Sequence, residues 1–96
     1  MNRGDVYWHN FKEPDKTRPV LIITRDEAFS DLNAVTVIPT TTTIRELPSQ
    51  VLLAKEDGMR ENCVLNIDLI QTVPKNKLRG FITHLSDERM WKFTKR

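Results

Sequence analysis

Hydrophobic and polar residues alternate over short distances in this chain, a pattern that is typical of β-strands. Five segments are predicted to be strands from this pattern or from their β-forming composition, residues 3–11, 18–24, 34–40, 50–54 and 63–73. Residues 20–23 are four consecutive aliphatic residues, three of them β-branched, which favours a strand buried on both faces. Pro14, Pro48 and Gly58 lie between segments and indicate turns. Within residues 63–73, the alternation predicts that Asn66 and Asp68 share one face of a strand.

Helical signals are shorter than the strand signals. Thr24 and Glu27 have the spacing of a capping box for a short helix, and residues 75–78 predict a turn or a short helix. Near the C-terminus, Ser86 is a suitable N-cap, and Leu85 is placed to pack on Met90. Together with the strands, these signals predict a mainly β fold of the α+β type, a bent antiparallel sheet or partly open barrel.

Length and charge limit the classes of protein further. The 96 residues, without a repeat or linker, predict one domain spanning residues 1–96. Such a chain has a modest core, and dimerisation is a natural way to bury more surface. From Lys75 onward seven basic residues stand against two acidic ones. This asymmetry fits a polyanionic partner, and a solvated surface with a basic tail is the alternative.

The sequence has no signals of a disulfide-bonded, metal-binding, secreted or membrane-spanning protein. Cys63 is the only cysteine, so no internal disulfide can form, and its apolar neighbours favour a buried structural thiol. His9 and His84 are the only histidines and are far apart in sequence, so we expect no metal site and no cofactor. The N-terminus has no apolar stretch typical of a signal peptide, and residues 20–23 are too few to span a membrane. We therefore expect a soluble, cytoplasmic protein that does not enter a membrane.

The remaining candidate chemistry lies in Arg18-Pro19 before a buried strand and in four consecutive threonines, residues 40–43. RNA carries its own nucleophile, the 2′-hydroxyl, so an enzyme needs only to align it, remove its proton and stabilise the developing charge. A guanidinium binds two phosphoryl oxygens, and a threonine hydroxyl donates one more hydrogen bond. These residue types permit RNA cleavage without a metal.

Five motifs, in order along nearly the whole chain, resemble the MazF/PemK (Kid-like) family, the endoribonuclease toxins of type II toxin–antitoxin systems. The motifs are Arg3-Gly4-Asp5-Val6-Tyr7-Trp8, Arg18-Pro19-Val20-Leu21-Ile22-Ile23, Val37-Ile38-Pro39-Thr40-Thr41, Leu47-Pro48 with Val51, and Ile82-Thr83-His84-Leu85-Ser86. The resemblance implies a small SH3-like, partly open β-barrel of five to seven antiparallel strands with short helices and a C-terminal helix, assembled as a homodimer.

The resemblance also implies an activity and partners. It implies metal-independent, sequence-specific cleavage of single-stranded RNA, in particular mRNA, that leaves 2′,3′-cyclic phosphate and 5′-hydroxyl ends. A cognate, MazE-like antitoxin is expected to occupy the RNA groove along the dimer interface.

By position, Arg18 matches the family arginine that acts on the scissile phosphate, as an acid or as a transition-state stabiliser. Thr41 matches the family threonine that holds the phosphate, with Thr40 as the alternative one residue away. The general base stays open between Glu13 and Asp68, which match positions where different members carry an acidic residue. The loop from Lys12 to Thr17 is shorter than is usual in the family. Position alone therefore does not transfer the role of Glu13, or the RNA sequence that a relative recognises, to this chain.

Further candidates for RNA binding follow from the same groove. We expect His9, Asn10, Asn66 and Asp68 to contact base edges, and Trp8 or Phe11 to stack on an unpaired base. Phosphate contacts are expected from Lys75, Lys77 and Arg79.

Two alternative functions belong to other classes of protein. A gyrase-poisoning toxin of the same fold depends on a C-terminal Trp-Gly-Ile, whereas this chain ends Trp91-Lys92-Phe93-Thr94-Lys95-Arg96. A catalytically inactive nucleic-acid-binding barrel is the other.

Overall fold

A computed structural model describes residues 1–10, 17–25 and 31–94, with side chains as far as Trp91. In these ranges the chain forms seven strands, three short 3-10 helices and one α-helix. The strands are β1 (Asp5–Asn10), β2 (Thr17–Ile22), β3 (Ala34–Thr41), β4 (Gln50–Leu53), β5 (Cys63–Asn66), β6 (Gln71–Pro74) and β7 (Leu78–His84). The 3-10 helices are Lys55–Asp57, Ile67–Leu69 and Lys75–Lys77, and the α-helix is α1 (Asp87–Thr94). The predicted mainly β fold with a C-terminal helix is confirmed.

The strands form one antiparallel, bent sheet in the order β4-β5-β3-β2-β1-β7. Strand β6 also pairs with β3, so β3 has two successive partners along one edge. Its C-terminal end pairs with β5, where Thr40 faces Leu65. Its N-terminal half pairs with β6, where Val37 faces Gln71. Strand β3 therefore joins the two parts of the sheet.

The prediction of one continuous strand over residues 63–73 is wrong. Between the pairs Thr40–Leu65 and Val37–Gln71, three steps along β3 correspond to six steps along its partner. The three extra residues form the 3-10 helix Ile67–Leu69, which separates β5 from β6. Strand alternation consequently ends at Asn66, and Asp68 is not placed on the same face of a strand. Because its apolar residues continue the period-2 pattern, this helix reads as strand in the sequence.

Strand β7 was not predicted, although it pairs with β1 along most of its length. Gly80 interrupts the alternation of hydrophobic and polar residues in this strand. Its large apolar residue Phe81 is 57% exposed, so hydrophobicity does not mark a buried face there. The pairing with β1 also shifts register twice, between Val6 and Tyr7 and again before His9. An irregular strand with one solvent-facing side has little sequence signal.

Apolar side chains pack on both faces of the sheet, in two clusters. The first cluster contains Leu21 with Val6, Ile38, Leu53, Met59, Cys63, Leu65, Leu85 and Met90. The second contains Val20 and Ile22 with Val35, Val37 and Val73. Successive residues of β2 thus enter opposite clusters, which confirms that this strand is buried on both faces.

Helix α1 begins where the sequence predicts. The Ser86 hydroxyl accepts a hydrogen bond from the Arg89 backbone N–H at 3.2 Å, and Leu85 and Met90 are buried in the first cluster. The Arg89 side chain forms an ion pair with Asp57, with Nε 3.0 Å from Oδ1, which fastens the helix to the 3-10 helix Lys55–Asp57. Trp91, in the same helix, is 60% exposed.

The Thr24 hydroxyl accepts a hydrogen bond from the Thr36 backbone N–H at 2.7 Å. Glu27 and most of the short helix predicted after Thr24 lie outside the described residues. In the described ranges, no helix has the length and apolar composition needed to cross a membrane.

Candidate active site

His9, Arg18 and Thr41 form a row across three neighbouring strands. In the pairing of β1 with β2, His9 lies directly opposite Arg18. The pairing of β2 with β3 ends at Val20 and Pro39, so Arg18 and Thr41 each lie two residues beyond its last pair. Directly opposed residues of antiparallel strands project their side chains from the same face. Strands β2 and β3 thus bring the predicted catalytic arginine and threonine to the same two cavities.

Two cavities meet at this row, and Arg18, Thr40 and Thr41 line both of them. The larger cavity has a volume of about 620 Å³, and the smaller one about 240 Å³. Further residues of the larger cavity are Trp8, Pro19, Met59, Arg60, Glu61 and Ile82. The smaller cavity is completed by Pro39, Asn66, Leu69 and Gln71. A ligand group at Arg18 and Thr41 would therefore have space on both sides of it.

Thr40 and Thr41 have different environments. Thr40 is only 3% exposed, and its hydroxyl donates a hydrogen bond to the Pro19 carbonyl at 2.8 Å. Thr41 is partly exposed, and its hydroxyl oxygen accepts the Thr43 backbone N–H at 3.2 Å, which leaves the hydroxyl proton for a ligand. This arrangement favours Thr41 over Thr40 as the residue that donates to a bound phosphate.

His9 is buried beside Arg18, with 7% of its surface exposed. Burial lowers the pKa of His9, and the positive charge of Lys77 lowers it further. The imidazole is therefore neutral at neutral pH. Lys77 itself is exposed at the end of a 3-10 helix, so it supplies a positive charge close to the row.

Of the other predicted RNA-binding residues, Asn66 belongs to the described lining of a cavity, and Asn10 and Arg79 do not. Asn10 is exposed at the end of β1, opposite Thr17, and Arg79 is exposed on β7. Asn66 lines the smaller cavity, and its buried Oδ1 has no hydrogen-bond partner in the described part of the chain. These three positions remain predictions as RNA contacts.

Of the two candidate bases, only Asp68 is among the described residues. Asp68 is exposed in the 3-10 helix Ile67–Leu69 and is absent from the described lining of both cavities. Glu13 lies outside the described residues, as does Phe11. Across residues 1–10, 17–25 and 31–94, no group of three or more His, Cys, Asp or Glu residues is arranged to hold a metal ion.

Sequence reasoning did not find Arg60, Glu61 or Gln71 as cavity residues. Arg60 and Glu61 come just before β5 and read as an ordinary charged loop. Cys63 also lines the larger cavity and is buried, as expected of a structural thiol. Burial raises its pKa, which a hydrogen bond with Thr40 partly opposes. Only the return of β5 along β3 brings this loop to the site.

Similarity to known proteins shows the family of this chain. The family model described as PemK-like, MazF-like toxin of type II toxin-antitoxin system matches residues 2–96. The chain belongs to this family. A "Probable endoribonuclease MazF2" of Mycobacterium tuberculosis is 38% identical over 91 residues, covering 94% of this chain and 87% of that protein.

Solved structures of similar proteins match this PemK-like, MazF-like chain over almost its whole length. "Mycobacterium tuberculosis toxin MazF-mt6" superimposes with a TM-score of 0.84 at 32% identity, covering 95% of this chain and 89% of the other. An "Endoribonuclease in complex with its cognate antitoxin from Mycobacterial species" superimposes with a TM-score of 0.83 at 26% identity, covering 98% and 87%. The fold expected from the five motifs is thus the fold of the family.

Proposed function

We propose that this endoribonuclease toxin cleaves single-stranded RNA, in particular mRNA, at a short recognition sequence and without a metal ion. The observation that carries the proposal is that Arg18 and Thr41 both line each of two cavities and so lie where the cavities meet. An RNA strand crossing this junction has its scissile phosphate at the two side chains and one neighbouring nucleotide on each side.

In the proposed reaction, the 2′-hydroxyl oxygen attacks the adjacent phosphorus while the bond from phosphorus to the 5′ oxygen breaks. A general base takes the 2′-hydroxyl proton, and the departing 5′ oxygen gains a proton. The products are a 2′,3′-cyclic phosphate and a 5′-hydroxyl. Arg18 and Thr41 stabilise the negative charge that builds on the phosphoryl oxygens, as preorganised donors do in other enzymes.

The general base remains open between Glu13 and Asp68. Asp68 lies one residue before Leu69, which lines the smaller cavity, so a bound strand can approach its carboxylate. Comparing the pH dependence of cleavage by Glu13→Gln and Asp68→Asn distinguishes the two. Loss of the acidic limb of the pH–rate profile in one variant identifies the base.

We assign RNA binding around this centre to both cavities. Asn66 and Asn10 are proposed to contact base edges, and Lys77 and Arg79, both exposed, to contact phosphates without sequence preference. Buried His9 and Thr40 are proposed to support Arg18 and Thr41 from the neighbouring strand positions.

A cognate antitoxin and a second copy of the chain are the proposed partners. A similar endoribonuclease has been solved with its cognate antitoxin, which supports the first. Large apolar side chains that are about half exposed, among them Leu69 at 53% and Ile70 at 48%, support the second because a dimer interface would cover such residues. Light scattering of the purified protein measures the oligomeric state directly.

The test of the activity is incubation of the purified protein with long single-stranded RNA in EDTA, followed by mapping of cut sites and mass spectrometry of the ends. Arg18→Ala should lower the cleavage rate about 10²- to 10³-fold, as loss of one transition-state donor does elsewhere. Arg25→Ala is the matched control, since Arg25 is exposed and outside the described lining of both cavities. Intact RNA with the wild-type protein, or an unfolded Arg18→Ala variant by circular dichroism, would contradict the proposal.

A further inference from the structure

The larger cavity extends from Arg18 over a wall that suits a nucleobase. Trp8 of β1 lies opposite Pro19 of β2, and both side chains line the cavity with Met59 and Ile82. Trp8 is only partly buried. The cavity volume of about 620 Å³ is ample for one base and its sugar. Apolar and aromatic surfaces of this kind stack unpaired bases.

Two charged side chains lie at the rim of this wall. Arg60 and Glu61 are exposed, and both line the cavity. Neither side chain forms an ion pair or hydrogen bond within the described part of the chain. The Glu61 carboxylate also acts on buried Cys63: burial is the largest cause that raises the pKa of this thiol, and the negative charge of Glu61 adds to it. Glu61 and Cys63 both line the larger cavity.

A carboxylate in a groove for RNA needs a specific reason, because it repels the phosphates that Arg18 attracts. It is favourable only where a ligand presents N–H donors to it. On a single strand, the exposed Watson–Crick edge of a base is the source of such donors. Guanine alone presents two adjacent donors there, N1–H and the N2 amino group. Adenine and cytosine present one amino group, and the N3–H of uracil lies between two carbonyl oxygens.

Resting on the proposed function, we propose that the larger cavity is a guanine site next to the scissile phosphate. The base stacks on Trp8, and the Glu61 carboxylate accepts hydrogen bonds from N1–H and from the N2 amino group. Arg60 donates to O6 and N7, the pairing that arginine makes most often with guanine. Glu61 and Arg60 thereby determine one position of the recognition sequence, whereas Arg18 and Thr41 act on the phosphate.

The test replaces Glu61 by Gln, which keeps the size of the side chain and exchanges one acceptor for a donor. Cut sites in a random RNA library should carry guanine at one position next to the cut, with a preference over adenine of about ten- to hundredfold. Glu61→Gln should abolish this preference or shift it to adenine, whose amino donor and N1 acceptor match a carboxamide. Glu56→Gln is the matched control, since Glu56 is an exposed carboxylate outside the described cavity lining.

Inosine tests the hydrogen bond from the N2 amino group, because inosine is guanosine without that group. Inosine at that position should slow the wild-type enzyme several-fold and leave Glu61→Gln unaffected. Cleavage with no guanine preference at any position, or a preference unchanged in Glu61→Gln, would overturn the guanine site and leave the proposed cleavage reaction intact.

Binding is measured separately, so that the site is tested even if no RNA is cut. In a Trp91→Phe background, Trp8 is the only tryptophan, and its fluorescence should be quenched when a base stacks on it. The probes are 2′-O-methyl hexanucleotide pools with and without guanine, which cannot be cleaved because the nucleophile is blocked. Quenching by the guanine pool that is lost in Glu61→Gln supports the site whatever the activity. Equal quenching by both pools would overturn it.

Discussion

Thr40 and Thr41 provide a direct test of the proposed site, because these adjacent threonines differ in burial and in hydrogen bonding and we propose different roles for them. Valine replaces threonine with almost the same shape and removes only the hydroxyl. In Thr40→Val, the Pro19 carbonyl loses the hydrogen bond that it accepts at 2.8 Å, at a position only 3% exposed. In Thr41→Val, the loss is a partly exposed hydroxyl whose proton we assign to the scissile phosphate.

The expected magnitudes separate the two variants. A buried acceptor left without its donor costs about 1–3 kcal/mol, and each kcal/mol lowers Tm by roughly 4–8 °C in a domain of this size. Thr40→Val should therefore melt several degrees lower and keep its cleavage rate within a few-fold. Thr41→Val should change stability by less than about 0.5 kcal/mol. It should lose about 10- to 100-fold in rate, because a hydrogen bond to a charged group contributes about 1.5–3 kcal/mol.

The assay pairs thermal unfolding by circular dichroism with single-turnover cleavage of a fluorescent RNA, at a temperature where both variants are folded. Single-turnover conditions report the chemical step without product release. The reverse result, a stable Thr40→Val that does not cleave and a destabilised Thr41→Val that does, would refute the assignment. It would mean that the strand register places Thr40, and not Thr41, at the phosphate.

Gly58→Ala should destabilise the fold by about 1–3 kcal/mol in urea unfolding, because Gly58 has a φ of +97° and a Cβ there would lie 2.3 Å from the Thr83 hydroxyl. Gly80→Ala is its control, since its Cβ would meet only Trp8 at 3.9 Å, and equal losses in both variants would contradict the steric explanation. The lowered pKa of His9, due to burial and then to Lys77, means that the unfolded chain binds a proton before the native one as pH falls. The free energy of unfolding should therefore decrease as pH falls through about 6.5, the ordinary histidine pKa, and His9→Gln should show a smaller decrease, with an equal slope counting against the assignment.

Strands with strong local patterns were predictable from the sequence. Val20, Leu21 and Ile22 have the composition of a strand that is buried on both faces. Leu21 enters the first apolar cluster, and Val20 and Ile22 enter the second. Ser86 and Met90 similarly define the start and the buried side of α1. In each case, neighbouring residues carry both the propensity and the burial, so no distant contact is needed to interpret them.

Elements that depend on distant partners were not predictable. The 3-10 helix Ile67–Leu69 exists because β5 and β6 pair with different parts of β3, a constraint absent from the local pattern. The weakly patterned β7 is held by its pairing with β1. For the same reason, Arg60 and Glu61 read as loop residues until the pairing of β5 places them at the larger cavity.

The candidate site divides along the same line. Arg18 and Thr41 could be named from sequence because they sit in short motifs of their own, at the start of one buried strand and the end of the next. The placement of His9 opposite Arg18, the hydrogen bond from Thr40 to Pro19, and the meeting of two cavities at Arg18 depend on how distant strands pair. Alternation along a strand is a local property, whereas register is set by hydrogen bonds between residues far apart in the chain.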